Sequence, residues 1–208
     1  MVELLLYGHP DSGHACKVAA TLALAGLAHR VERVDIWAAP QTRPADFLAA
    51  NPAVEVPVLM IDGQSHVQSG AILLEIATRW HCLGGESTAG LRRGRELLLW
   101  EANRIGMCLP QLVAARGPGR RAFAPEVVAW LVGRYAADRT RFDLLLGDGP
   151  FFHGDAPGIG DCAIWGYAQW TDRAGVAPSP AMAAWQARMR ALPAMRSPEG
   201  FFPDAAPA

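Results

Sequence analysis

The chain has 208 residues, 51% of them hydrophobic and 19% charged, with a formal net charge of −1. That length gives room for one large domain or two small ones with usable cores, and the near balance of charge excludes the concentrated basic face that a nucleic-acid partner requires. No apolar run reaches the ~18 residues of a membrane span, so neither nucleic acid nor membrane is expected as a partner. The arginines at Arg92, Arg93 and Arg95 and at Arg116, Arg120 and Arg121 read as solvated faces and helix ends. The opening "MVELLLYGHP" lacks the basic segment of a signal peptide and runs straight into a strand-like stretch. Cys16, Cys82, Cys108 and Cys162 are scattered, with no CxxC. They fit free thiols in a reducing cytoplasm, which is the expected location. The six histidines form no i, i+4 pair, and no metal is expected.

In chain order, Glu3–Gly8 is a compact apolar run suited to a buried strand. Gly13–Gly26 is rich in Ala and Leu, with Val18 and Leu22 on one face and Gly26 at its end. "RVERVDI" at Arg30–Ile36 alternates like a half-buried strand. A short helix after Pro44, through Phe47 and Leu48, must stop before Asn51–Pro52. Pro57–Ile61 and Ser65–Val67 then read as a hairpin turning at Asp62–Gly63. Ser69 to Trp80 carries Ile72, Leu73, Ile76 and Trp80 on one helical stripe. The order βαβ, α, ββα implies a small α/β sheet with helices packed on it.

Residues 82–90, "CLGGESTAG", form a Gly/Ser-rich break. Beyond it, Leu91–Val113, Pro125–Leu146, Asp161–Arg173 and Pro180–Leu192 read as helices, and strand patterns almost vanish. The expected division is therefore residues 1–80, a linker at 81–90, and an all-helical domain at 91–208. The tail "SPEGFFPDAAPA" has no regular pattern and is expected to lie across the surface or fray.

Two short motifs hold chemistry. In "EVPVL" a proline stands at the entrance of a strand, where it cannot donate to the ladder. A cis Val56–Pro57 bond is one resolution and would turn the Val56 backbone toward a ligand; a trans proline at an edge is the other. In "VQSGAILLEIA", Ser69 reads as a helix N-cap. The N–H groups of that first turn favour a carboxylate, so Gln68 and Ser69 either cap a helix or hold an anionic ligand.

Together, "LLLYGHPDSGHACKV", "FLAANPAVEVPVL", "DGQSHVQSGAILLEIA" and "GDAPGIGDCAIWG" resemble, in order, the cytosolic glutathione transferase family, and bacterial members most. The resemblance covers nearly the whole chain. It implies an α/β thioredoxin-like N-terminal domain with cis Pro57, followed by an all-α C-terminal domain. It also implies a homodimer, a role in detoxification, and transfer of the glutathione thiolate to a small hydrophobic electrophile. Glutathione enters as co-substrate, with no metal. The alternatives on the same site are a glutathione-dependent peroxidase or reductase, and a binding module without useful catalysis. Val56 would pair with the cysteinyl part of glutathione, Gln68 and Ser69 with its γ-glutamyl end, and Arg43 with its glycine carboxylate. His14 is a further candidate contact.

The family stabilises the glutathione thiolate, which is the nucleophile, with a hydroxyl that favours the charged sulfur. Ser12, in the turn before the first helix, is the first candidate and Tyr7, at the end of the first strand, the second. His14, a backbone amide, or no catalytic residue at all stay open. Cys16, about one turn inside the helix, reads as a buried structural thiol, and the thioredoxin dithiol is absent from Ser12-Gly13-His14-Ala15. Asp161 matches N3 of a capping box whose N-cap is here Gly158, so its role is structural. The electrophile site is expected between the domains, near Trp100, Arg104, Met107 and Cys108; helix packing is the other reading of Trp100 and Met107.

Overall fold

The computed structural model describes residues 2–116 and 122–204. Arg120 and Arg121, of the second arginine cluster, lie outside them. Four strands, β1 (Leu4–Gly8), β2 (Arg30–Arg33), β3 (Val58–Ile61) and β4 (Gln64–Val67), form one sheet in the order β2-β1-β3-β4. β1 and β2 run parallel, with Leu6 opposite Val31, and are joined through helix α1 (Gly13–Leu24). β3 is antiparallel to both neighbours, with Leu59 between Leu6 and His66. Asp62 and Gly63 both take positive φ, 50° and 81°, at the tight turn between β3 and β4. Helices α2 (Ala45–Ala50) and α3 (Ser69–Trp80) complete this thioredoxin-like half.

The strand period of two divides β1 between two environments. Leu4 and Leu6 face the large core with Val18, Leu22, Ile72 and Ile76 of α1 and α3. Tyr7 faces the other way, into a small cluster with Val34, Phe47 and Val58. Helix α1 ends as its sequence predicts: Gly26 takes φ 66°, and Leu27 N–H reaches back to Leu22 C=O at 3.0 Å.

The remainder is mostly helical: α4 (Thr88–Asn103), α5 (Ile105–Arg116), α6 (Pro125–Leu146), α7 (Ile159–Ala168), α8 (Pro180–Ala191) and a single turn, α9 (Pro198–Phe201). Three details depart from the sequence reading. The helix expected over 91–113 is two helices, broken at Arg104, which takes φ −126° and ψ −101°. Helix α7 stops at Ala168, five residues short of Arg173. The tail does not fray before Asp204 within the described residues: Phe201 and Phe202 are buried. The Phe202 ring fills the space that a Cβ at Gly8 would need, so burial of two aromatic rings outweighs the irregular local pattern.

Helix α7 is buried along its whole length and crosses the start of α1. The crossing is at two glycines: a Cβ on Gly13 would stand 2.6 Å from Gly166 O, and one on Gly166 would stand 2.6 Å from Gly13 O. Asp161 anchors α7 as the N3 position predicts. Its carboxylate accepts from Gly158 N–H and Phe152 N–H, each at 3.0 Å, and from the Trp185 indole at 2.8 Å. These bonds oppose the burial that raises its pKa.

Candidate functional site

Ser12 ends the turn after β1 and is the N-cap of α1, with β-region φ −100° and ψ 106°. Its Oγ accepts from Ala15 N–H at 3.2 Å. A serine hydroxyl has two lone pairs and one proton, so capping leaves the O–H donor unused. The residue is 7% exposed and lines a cavity of about 600 Å3 together with Asp11, His14, Arg43, Val56, Pro57, Gln68, Ser69 and Tyr167.

The opposite wall is built by the approach to β3 and the start of α3. The Val56–Pro57 bond is cis. Val56 precedes the first ladder residue, Val58, and its N–H and C=O have no backbone partner among the described residues. Gln68, not Ser69, is the N-cap of α3, and it takes φ 65° and ψ 106° with no side-chain capping bond. A non-glycine residue at positive φ is strained, and such positions cluster at ligand clamps. The twist makes Ser69 the first helical residue, and its hydroxyl turns to His14 Nδ1 at 3.4 Å. The N-termini of α1 and α3 therefore converge on one cavity, and both bring a positive end.

His14 is half-buried against Tyr167, ring centroids 5.1 Å apart and edge to face. Burial, aided by the Lys17 charge, lowers its pKa to about 4, so the imidazole is neutral at pH 7. Arg43 lines the cavity, but its guanidinium already donates to the carbonyls of Val54 and of Ile36, the latter at 3.0 Å. It ties the loop after β2 to the loop before Pro57. Asp11, which sequence reasoning passed over, pairs with Arg173 at 2.9 Å.

Tyr7 lines neither this cavity nor the second one described below. Its ring packs on Phe47, centroids 5.6 Å apart, on the sheet face opposite α1. Burial raises its pKa, with Glu32 and Asp46 adding to the effect. Cys16 is fully buried, its thiol 3.4 Å from Pro10 C=O, and burial pushes its pKa up to about 12. Neither cavity is lined by a cysteine among the described residues.

His14, Gln68 and Ser69 also line a second cavity of about 720 Å3, walled by Leu74, Leu98, Leu99, Ala102, Met107 and Pro110. Of the residues named from sequence for an electrophile, Met107 lines this cavity and Trp100, Arg104 and Cys108 do not. The face of α4 is the reason for Trp100: Leu98, Glu101 and Ala102 share one face at i, i+3 and i+4, and Trp100 lies off it. Cys108 turns to Asp138 at 3.9 Å inside the helical core. Tyr167, Lys17 and Glu101 are site residues that sequence reasoning missed, since only the crossing of α1, α4 and α7 brings them together. Among the described residues no group of three His, Cys, Asp or Glu side chains could hold a metal, and no helix is long and apolar enough to cross a membrane.

A family model described as the glutathione S-transferase N-terminal domain matches residues 11–79. The chain is 28% identical over 207 residues to the disulfide-bond oxidoreductase YfcG of Escherichia coli K12, covering 93% of this chain and 92% of that protein. A glutathione S-transferase structure from Xanthobacter autotrophicus Py2 superposes with TM-score 0.80 at 28% identity, over 93% of this chain and 96% of the other. A glutathione transferase family member from Pseudomonas fluorescens Pf-5 shares the fold with TM-score 0.80 at 21% identity, over 92% and 90% of the two chains. Residues 11–79 thus match the N-terminal domain of the glutathione S-transferases, and the chain is similar to a glutathione S-transferase structure over nearly its full length, helical remainder included.

Proposed function

We propose that the protein binds glutathione in the first cavity and transfers its thiolate to a small hydrophobic electrophile held in the second. One observation carries this reading. His14, Gln68 and Ser69 line both cavities, so a polar, peptide-sized site opens directly into a mostly apolar one. In this reading the γ-glutamyl carboxylate sits on the α3 N-terminus with Ser69, and Gln68 bonds the amine. The cysteinyl backbone pairs with the free N–H and C=O of Val56, beside Pro57. Arg43 faces the glycine carboxylate with whatever donors its carbonyl bonds leave free, and His14 packs beside the sulfur. The Solved Pseudomonas family member with this fold carries two bound glutathiones, which supports the ligand class.

Ser12 is the residue we assign to the sulfur. Its hydroxyl proton is not used in capping α1, and donating it to sulfur favours the thiolate over the thiol. The thiolate then attacks the electrophilic carbon: a C–S bond forms and the leaving group departs with its electron pair. In an addition, the electron pair moves to the neighbouring atom, which takes a proton from water. The proposed layout keeps residues 1–80 as the glutathione-binding half, 81–90 as linker and 91–208 as the helical half, in a cytoplasmic homodimer that serves detoxification.

A second reading draws on the name of the Escherichia coli relative. A glutathione thiolate bound here would attack a disulfide, forming a mixed disulfide and releasing one thiolate. A second glutathione would then release the other and leave glutathione disulfide. With Cys16 buried, both thiols come from glutathione in this scheme.

The test is glutathione affinity by calorimetry, followed by the pKa of the bound thiol from thiolate absorbance. Binding with a lowered thiol pKa is expected. Absence of binding at millimolar glutathione overturns both readings, and binding with an unshifted thiol leaves only a non-catalytic module. Parallel assays with 1-chloro-2,4-dinitrobenzene and with hydroxyethyl disulfide separate transfer from reduction.

A further inference from the structure

The second cavity is walled mostly by apolar side chains, yet three charged residues line it as well: Arg95, exposed to solvent at the rim, and a buried pair. Lys17 of α1 and Glu101 of α4 meet with Nζ and Oε2 2.7 Å apart, and each side chain is only 2% exposed. The pair is incomplete. Glu101 Oε1 is buried with no hydrogen-bond partner among the described residues. Lys17 Nζ carries three N–H donors, and its bond to Glu101 is the one it makes among them. The corner is kept open beside the carboxylate: a Cβ on Gly106, another residue lining the cavity, would run into Glu101 Oε1.

Leaving a buried charged acceptor unpaired is expensive, and more so at low local dielectric. If the pair served only to join the two halves of the chain, a matched apolar pair would hold them as well or better. An unused acceptor beside unused donors, at the edge of a cavity, is what a ligand group completes. A carboxylate would suit Lys17 and be repelled by Glu101, and an ammonium would do the reverse. A neutral group that donates and accepts at once satisfies both.

We infer that the Lys17–Glu101 pair is a recognition point for the second substrate, and that this substrate carries a hydroxyl or primary amide on an otherwise apolar body. The hydroxyl donates to Glu101 Oε1 and accepts from Lys17 Nζ. The inference rests on the reading of the second cavity as the electrophile site. It adds a chemical class: polar-ended electrophiles in preference to plain hydrocarbon ones.

The experiment compares S-butyl- and S-hexylglutathione with their ω-hydroxy analogues by calorimetry at pH 7, so that no turnover is needed. An ordinary apolar cavity disfavours the hydroxyl, because its burial without a partner is costly. Here the ω-hydroxyl is expected to tighten binding about 10- to 100-fold at one chain length, the scale of a hydrogen bond to a charged group. In the double variant Lys17→Met/Glu101→Leu, which leaves neither charge alone, the preference is expected to invert while the plain alkyl conjugates still bind. A hydroxyl that weakens binding at both lengths in the wild type overturns the inference, as does a preference that survives in the double variant. Should no glutathione conjugate bind, the glutathione reading has failed separately. The inference is then decided by benzyl alcohol against toluene, where equal binding, or none, overturns it.

Discussion

Gly13 and Gly166 touch backbone to backbone, and that contact sets the position of Ser12. Helix α7 lies across the first turn of α1 at a distance that only two glycines allow, since a Cβ on either would stand 2.6 Å from the other's carbonyl oxygen. Overpacking of this kind costs about 1–3 kcal/mol where the neighbour cannot yield, and here the neighbour is backbone. Gly166→Ala is expected to lower the urea midpoint by that order and to weaken glutathione binding, because the N-cap turn is pushed aside. Unchanged affinity would show that α7 does not position the turn.

His153 completes the cap of α7. Gly158 is the N-cap and has no side chain to accept from the first turn, but His153 Nε2 accepts from Gly160 N–H at 3.2 Å. The ring occupies the space a Gly158 side chain would use, with Nδ1 2.6 Å from where its Cβ would be. Gly158→Ser should therefore destabilise by collision, and His153→Ala by about 1 kcal/mol for the lost cap. The combination Gly158→Ser/His153→Ala restores an N-cap hydroxyl in vacated space and should melt above either single variant. A double variant no more stable than the weaker single one would count against the replacement.

The two hydroxyls first considered for the thiol separate cleanly in a titration. Ser12→Ala is expected to raise the pKa of bound glutathione by about one unit or more, the value of a hydrogen bond to a charged sulfur. Tyr7→Phe should leave it unchanged, since Tyr7 lies on the other face of β1. His14→Gln tests the neutral imidazole beside Ser69 and should alter affinity more than thiol pKa. The opposite pattern between Ser12 and Tyr7 would move the assignment.

Two half-buried histidines make stability fall on acidification. His14 and His153 are each lowered from 6.5 to about 4, chiefly by burial, with Lys17 and Arg93 adding to the effect. Between those values the unfolded chain binds protons that the native state refuses, so the stability gained from the neutral rings is complete above pH 6.5 and is lost as pH falls toward 4. Glu101, Asp138 and Asp161, raised by burial, act in the opposite sense. The histidine part is therefore read as a difference. Urea unfolding across this range should show the advantage of wild type over His14→Gln shrinking as pH drops, and a constant gap would contradict the assignment.

The sequence by itself determined the local choices. A compact apolar run marked β1 and alternation marked β2, Asp62–Gly63 fixed the hairpin, Gly26 ended α1, and Val56–Pro57 with Gln68–Ser69 marked what is now one wall of the first cavity. Each is a property of neighbouring residues, where propensity and turn chemistry decide. It did not separate Ser12 from Tyr7, because which face of a sheet receives the first helix is a matter of packing. Nor did it foresee the break at Arg104 or the buried turn holding Phe201 and Phe202. Lys17 and Glu101 stand 84 residues apart, and His153 reaches a cap whose missing side chain only its position reveals. Such pairs exist because α7 brings α1 and α4 within reach of one another. The tertiary structure alone decided which polar groups were left unpaired inside that contact.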